Sequence, residues 1–287
     1  MQRETRSGGI SWKTAAAGGL LAALALGGAD GAYGQAERQE GQVILVTGST
    51  GGLGREVALR LAATGAHVII HGRNADRGRE VVEEIDKAGV GSARFYAADL
   101  ASFSEVRRLA EEIRRDYDRL DVLVNNAGIW LTQGERQLSA DGHEMHFQVN
   151  YLSGYLLTRM LLPLLEASAP SRIVNVASAA QNPIDFADVM LERGYSGSRA
   201  YAQSKLAQVL FTVDLAEDLR DKGVTVVSLH PATLMATDMV REAGIAPRAT
   251  VDEGADAVMR LITSDDVQSG QYYNGMQVGR PNAQAQD

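Results

Sequence analysis

Cysteine is absent from the 287 residues, which removes disulfides, thiolate catalysis and cysteine-ligated metals from consideration. Charge of one sign is nowhere concentrated. Lys and Arg number 28 against 36 Asp and Glu, a formal net charge of −8, and the arginines are scattered. A nucleic-acid groove needs a basic stripe, so no nucleic-acid partner is expected. The five histidines show no metal-ligand spacing. His143 and His146, three apart near a helix start without carboxylate or Cys partners, read as surface or cap residues. No metal is expected. Prolines number six, and neither a Pro/Ser-rich linker nor an internal repeat divides the chain.

A long hydrophobic run is missing as well. The weakly apolar stretch 14–28 is rich in Ala, Gly and Leu and too short for a comfortable membrane span. It follows Arg3, Arg6 and Lys13 and precedes small residues around Ala32, Gly34 and Ala36, the order of an export signal. Residues 1–36 are therefore expected to be signal-like or disordered, and the protein exported to the periplasm. The alternative is a cytoplasmic protein behind an Ala/Gly-rich extension or a misplaced start. Membrane contact is expected, if anywhere, through this segment. The whole chain is 45% hydrophobic and 22% charged, ordinary for a soluble globular protein, and residues 37–287 suffice for one α/β domain with a sizeable core.

From Gln42 onward, strand and helix patterns alternate. Strand runs are read at Val43–Val46, 67–70, 94–97, 122–124, 173–176, 225–229 and 271–273. Helical spacing is read at 55–64, 76–88, 102–117, 142–167 with an interruption at Pro163, 200–222 and 252–263. Ser102 followed by Glu105 fits a capping box, and Gly65 and Gly89 fall where helices are expected to end. The order implies a single-domain Rossmann fold, a doubly wound parallel sheet of about seven strands with helices on both faces.

In such a sheet ligands bind beyond the carboxyl ends of the strands, near the reversal of strand order. Four motifs fall there. Thr47-Gly48-Ser49-Thr50-Gly51-Gly52-Leu53-Gly54 follows the first strand and Asn125-Asn126-Ala127-Gly128 the fourth. Ser178 follows the fifth, and Tyr201-Ala202-Gln203-Ser204-Lys205 lies in a helical pattern. Gly48, Gly52 and Gly54 let the backbone approach a pyrophosphate, whose charge is favoured at a helix N-terminus. Tyr201 and Lys205, four apart, share a helix face, and an ammonium beside a phenol favours the phenolate. Random placement would produce such a pair in roughly one chain of eight, so the pair draws its meaning from Ser178 and the glycine loop. Together they describe a site for moving a hydride and a proton, that of a nicotinamide-dependent oxidoreductase.

These residues resemble the short-chain dehydrogenase/reductase family over about residues 42–273. Thr47-Gly48-x-x-x-Gly52-x-Gly54 is similar to its cofactor loop, which places Ser49, Thr50 and Leu53 at the cofactor too. Asp99-Leu100 is similar to its adenine contact, and Asn126, Ala127 and Gly128 to its central-strand motif. Asn150, Ser178, Tyr201 and Lys205 match its catalytic tetrad in order. Residues 185–219 look most like the retinol-dehydrogenase-like branch, which often handles apolar carbonyls and alcohols. The resemblance implies that Tyr201 is the general acid or base and that Lys205 lowers its pKa and binds the nicotinamide ribose. It implies that Ser178 holds the substrate oxygen, and that Asn150 helps hold a water relaying protons to Lys205. Pro231 and Thr237 lie where the family contacts the nicotinamide amide, although Ala232 replaces the usual Gly and Thr237 comes one residue late. A homo-oligomer built through the long helices is implied as well.

Cofactor choice turns on the end of the second strand, His71-Gly72-Arg73-Asn74. No carboxylate stands there to bind a ribose 2′-hydroxyl, whereas Arg73 can pair with a 2′-phosphate. Gly51 occupies the place where some NADP-dependent members carry a second cation. NADP is therefore the expected cofactor, with NAD possible. Trp130, Leu131, Met235, Met239 and Val240 are candidates for either the substrate pocket or the core. Two other functions remain open: a non-catalytic dinucleotide-binding sensor or scaffold, and a sugar-nucleotide epimerase or dehydratase.

Overall fold

A computed structural model describes residues 41–286, so the reading of residues 1–36 lies outside the described residues. The strands are β1 (Val43–Val46), β2 (His67–Gly72), β3 (Ser92–Ala97), β4 (Val122–Asn125), β5 (Ser171–Val176), β6 (Val224–His230), β7 (Tyr272–Asn274) and β8 (Gln277–Val278). The helices are α1 (Gly52–Ala63), α2 (Ala75–Ala88), α3 (Phe103–Asp116), α4 (Ser153–Ala167), α5 (Gly197–Asp218), α6 (Asp238–Glu242) and α7 (Val251–Thr263). One sheet runs β3-β2-β1-β4-β5-β6-β7-β8, parallel except for β8, which pairs antiparallel with β7. β8 makes the strands eight rather than about seven. Its two exposed residues are too few to carry a periodic pattern.

The inner strands β1, β2 and β4 read as near-continuous apolar runs because both faces of the sheet are covered there. Along β1, Ile44 and Val46 pack with Leu61 of α1, Ile85 of α2 and Leu261 of α7. Leu45 points the other way, toward Leu109 of α3, Leu157 of α4 and Phe211 of α5, as the twofold period of a strand requires. Burying each such side chain fully contributes about 1.5–3 kcal/mol. In register, Val46 lies between Ile70 of β2 and Val124 of β4. The chain order reverses at β1, so a crevice opens above the carboxyl ends of β1 and β4.

Several expected elements differ in detail. α1 begins at Gly52 rather than 55, so the glycine turn is itself the first helical turn. The helix expected from 142 starts at Phe147 with a wide, π-type turn to Leu152 before α4 takes over. α4 runs through Pro163 without a break, and that proline lies on its exposed face. The capping box at Ser102 does not form: its hydroxyl bonds Ser104, Glu105 pairs with Arg108, and Asp141 takes the Phe103 N–H. Among the described residues no helix is long and apolar enough to cross a membrane.

Candidate active site

The chain turns at Gly48 (φ +66°), where a Cβ would stand 2.9 Å from the Ala127 Cα. A Cβ on Gly54 would collide with the Gly48 carbonyl and the Asn126 amide. The loop after β1 therefore lies directly against the segment after β4. Gly51 caps α1 with no side-chain hydrogen bond, which leaves first-turn N–H groups for an anion. Gly48, Thr50, Gly52, Leu53 and Gly54 line a cavity of about 780 Å³.

Thr47 and Ser49 sit behind this wall. The Thr47 hydroxyl accepts from the Asn126 and Ala127 amides and donates to the Val124 carbonyl. The Ser49 hydroxyl donates to the Val46 carbonyl and accepts from the His71 amide. Both are buried and tie the loop to β4 and β2. Asn126 lines the cavity with Ala127 and Gly128, and its Nδ2 donates to the Thr47 carbonyl at 2.8 Å.

At the other end, β5, the wide turn and α5 bring the four expected catalytic residues together. Ser178, just past β5, stands near enough to the Tyr201 hydroxyl to favour the phenolate, and both line the cavity. One helical turn on, the Lys205 Nζ lies 5.7 Å from the Tyr201 ring centre. It donates to the Val176 carbonyl at 2.8 Å and to the Gln208 Oε1 at 2.9 Å. The Asn150 Oδ1 accepts from the Ile129 amide at 2.7 Å, and its Nδ2 donates to the Ser204 hydroxyl at 2.9 Å. Asn150 thus clamps the segment after β4 to α5. Tyr272 steadies the Ser178 turn by donating to the Ser178 carbonyl at 3.1 Å.

Burial dominates the electrostatics here. It pushes the Tyr201 phenol above its ordinary value, against the pull of the nearby Ser178, and pushes the Lys205 amine down to about 7. The net shift of the phenol is therefore upward rather than the expected lowering, because desolvation disfavours the charged form of each group. The phenol keeps its proton at neutral pH, as a proton donor must.

Of the two histidines read as surface or cap residues, His143 is half-buried and His146 departs from that reading. His146 and Glu144 are fully buried, with Nδ1 2.8 Å from the Glu144 Oε1. The His146 Nε2 accepts from the Leu131 amide at 3.0 Å. The pair braces the segment carrying Trp130, whose ring centre is 5.4 Å from that of Tyr201. Trp130 and Leu131 both line the cavity. His71, also missed, accepts from the Gly48 amide at 3.1 Å, and burial pushes its imidazole down to about 4, so it stays a neutral acceptor. Among the described residues no cluster of His, Asp or Glu could hold a metal.

Toward the far end, Asp99 and Leu100 line the cavity after β3 and Arg73 after β2. Arg77 joins them, a second cation that the sequence reading did not single out. It lies 3.7 Å from the Asp238 carboxylate of α6. Its place was legible in part, since Asn74 caps α2 by accepting the Arg77 amide. Past β6, Pro231, Met235, Thr237, Met239 and Val240 complete the wall.

A family model described as short chain dehydrogenase matches residues 42–247. The chain is 34% identical over 273 residues to retinol dehydrogenase 13 of Mus musculus, spanning 86% of this chain and 79% of that one. It is 38% identical over 264 residues to retinol dehydrogenase 14 of Homo sapiens, spanning 81% and 78%. Among solved structures, it is similar to a short chain dehydrogenase from Burkholderia cenocepacia J2315 in complex with NADP. There the TM-score is 0.68 at 28% identity, covering 83% of this chain and 97% of that one.

Proposed function

This chain belongs to the short-chain dehydrogenase family and is an NAD(P)-dependent oxidoreductase of retinol-dehydrogenase-like type, and we propose that it reduces apolar aldehydes or ketones, or oxidises the matching alcohols, with NADP. The observation that carries this reading is the Ser178–Tyr201–Lys205 group in one cavity with the glycine-loop cradle. The nicotinamide, when bound, supplies or takes the hydride. Gly48 and Gly54 leave the cradle open to its pyrophosphate, as do the uncapped amides of α1. Ser178 donates to the substrate oxygen as charge develops on it, and Tyr201 hands its proton to that oxygen in the reduction. Lys205 directs an N–H into the cavity and would hold the ribose with it, and Asp99 and Leu100 would hold the adenine. Pro231 and Thr237, which line the same cavity, would hold the nicotinamide amide. Trp130, whose ring stands beside Tyr201, and Leu131 next to it make this end of the cavity apolar, which supports a retinol-like or other long apolar substrate. The test is a panel of aldehydes, ketones and alcohols, retinal and retinol among them, with NADPH, NADH and their oxidised forms. A chain that turns over none of them with any nicotinamide overturns the reading and favours a dinucleotide-binding scaffold.

The preference for NADP rests on Arg73, with Arg77 beside it, and on the lack of a carboxylate at the end of β2. A charge-assisted contact to a phosphate contributes about 1.5–3 kcal/mol. Arg73→Ala is therefore expected to weaken NADPH by one to two decades while leaving NADH unchanged, read by the fluorescence of the bound nicotinamide. Equal loss for both removes the 2′-phosphate role. A homo-oligomer built through the long helices is part of the same proposal and rests on the family resemblance. Export rests on the order of charged, apolar and small residues in 1–36. The mature N-terminus in a fractionated native host is expected near Gln35 or Glu37 in the periplasm, and an intact Met1 confined to cytosol rules export out.

A further inference from the structure

We infer that Gln208 is a positioning residue for Lys205, one that selects which vertex of the amine faces the cavity and sets the pH range over which the amine is charged. This rests on the role proposed above for Lys205. Gln208 lies three residues further along α5, and both side chains are buried. The Nζ has two fixed protein acceptors, the Gln208 Oε1 at 2.9 Å and the Val176 carbonyl at 2.8 Å. Val176 is the last residue of β5, and Gln208 is one turn of helix away. Two acceptors from different elements define two tetrahedral directions, so the remaining vertex turns to the cavity that Lys205 lines.

Both acceptors are neutral. An ammonium has three N–H donors and a neutral amine two, so Lys205 can lose its third proton while keeping both protein hydrogen bonds. The vertex that changes is the one facing the cavity. The groups facing this end are Tyr201 on the same helix and His230 at the end of β6. Further along the wall come Asp99, Arg73, Glu242 and the Asp238 paired with Arg77. None of them shifts the amine, whose lowering comes from burial. The helix turn that carries Gln208 is tied to β5, because the Thr212 hydroxyl donates to the Gln208 backbone carbonyl at 2.8 Å and accepts from the Asn175 Nδ2 at 2.9 Å. A glutamine at this place binds the ammonium without supplying the counter-charge that would keep it permanently protonated.

The test follows NADPH affinity against pH by fluorescence of the bound nicotinamide, which needs no substrate, and then the kcat/KM profile for the best aldehyde of the panel. Affinity falls as Lys205 loses the proton that faces the cavity. Gln208→Glu puts an opposite charge on the amine and is expected to move that limb up by about one pH unit or more. Gln208→Met removes an acceptor that favours the ammonium and is expected to move it down. Thermal melts establish that each variant folds. Lys205→Met separates the two readings. If the limb persists without the amine, the role given to Lys205 is wrong; if it vanishes while both Gln208 variants superimpose on the parent, the positioning role alone is wrong. Should Gln208→Glu fail to fold, Gln208→Met decides, and loss of folding in both makes Gln208 a packing residue and overturns the inference.

Discussion

Tyr201→Phe is expected to lower kcat by about 10²- to 10⁴-fold, the range that a positioned proton donor supplies, and to leave NADPH affinity unchanged. Phe preserves the ring that stands 5.4 Å from Trp130 and loses only the hydroxyl. The hydride donor, its cradle and Lys205 stay in place, so the variant isolates the proton transfer. Steady-state rates with the best substrate of the panel, beside a fluorescence titration with NADPH, check it. A variant that turns over at the parental rate assigns the proton to another group. Because burial holds the phenol above its ordinary value, reduction needs no help from acid pH to keep Tyr201 protonated.

Glu144→Ala is expected to lower the melting temperature by about 6–12 °C. The carboxylate accepts three hydrogen bonds inside the protein, from the His146 amide at 3.0 Å, the His146 Nδ1 at 2.8 Å and the Phe147 amide at 2.8 Å. Removing it leaves three buried donors without their carboxylate. At about 1 kcal/mol each, the low end for such groups, and about 2–4 °C per kcal/mol for a domain of this size, the sum gives that shift. The loss reaches the active site, because His146 also accepts the Leu131 amide that orients the neighbouring Trp130. kcat/KM for large apolar substrates is therefore expected to fall along with stability. A melting point within about 2 °C of the parent would show that the site repacks around the gap. Glu144→Gln retains an acceptor and is expected to fall between the two.

The alternation of elements was legible because both of its periods lie in adjacent residues: the apolar run of β1 and the 3.6-residue spacing of α2 need no knowledge of what packs on them. The glycine loop and the Tyr201–Lys205 spacing were legible for the same reason. Whether a polar side chain in such a motif faces a ligand or the protein was not. Thr47 and Ser49 read as loop residues at a cofactor and are buried ties to β4 and β2. His146 reads as a surface or cap residue and is buried against Glu144. Each outcome depends on residues distant in sequence, such as the Asn126 amide that meets Thr47.

The sequence by itself determined the order of β1 to β7 and of the helices other than α6, the family, and the places along the chain where a phosphate, a phenol and an ammonium can stand, since these are properties of local pattern and spacing. Only the tertiary structure decided that Arg77 joins Arg73 at one end of the cavity, that His71 holds the Gly48 amide, and that Gln208 shares Lys205 with a strand-end carbonyl. It also decided the direction in which Tyr201 and Lys205 shift. Both depend on how much water the fold removes from around a group, and desolvation is set by the packing of β5, α5 and the loops between, which no spacing along one chain encodes.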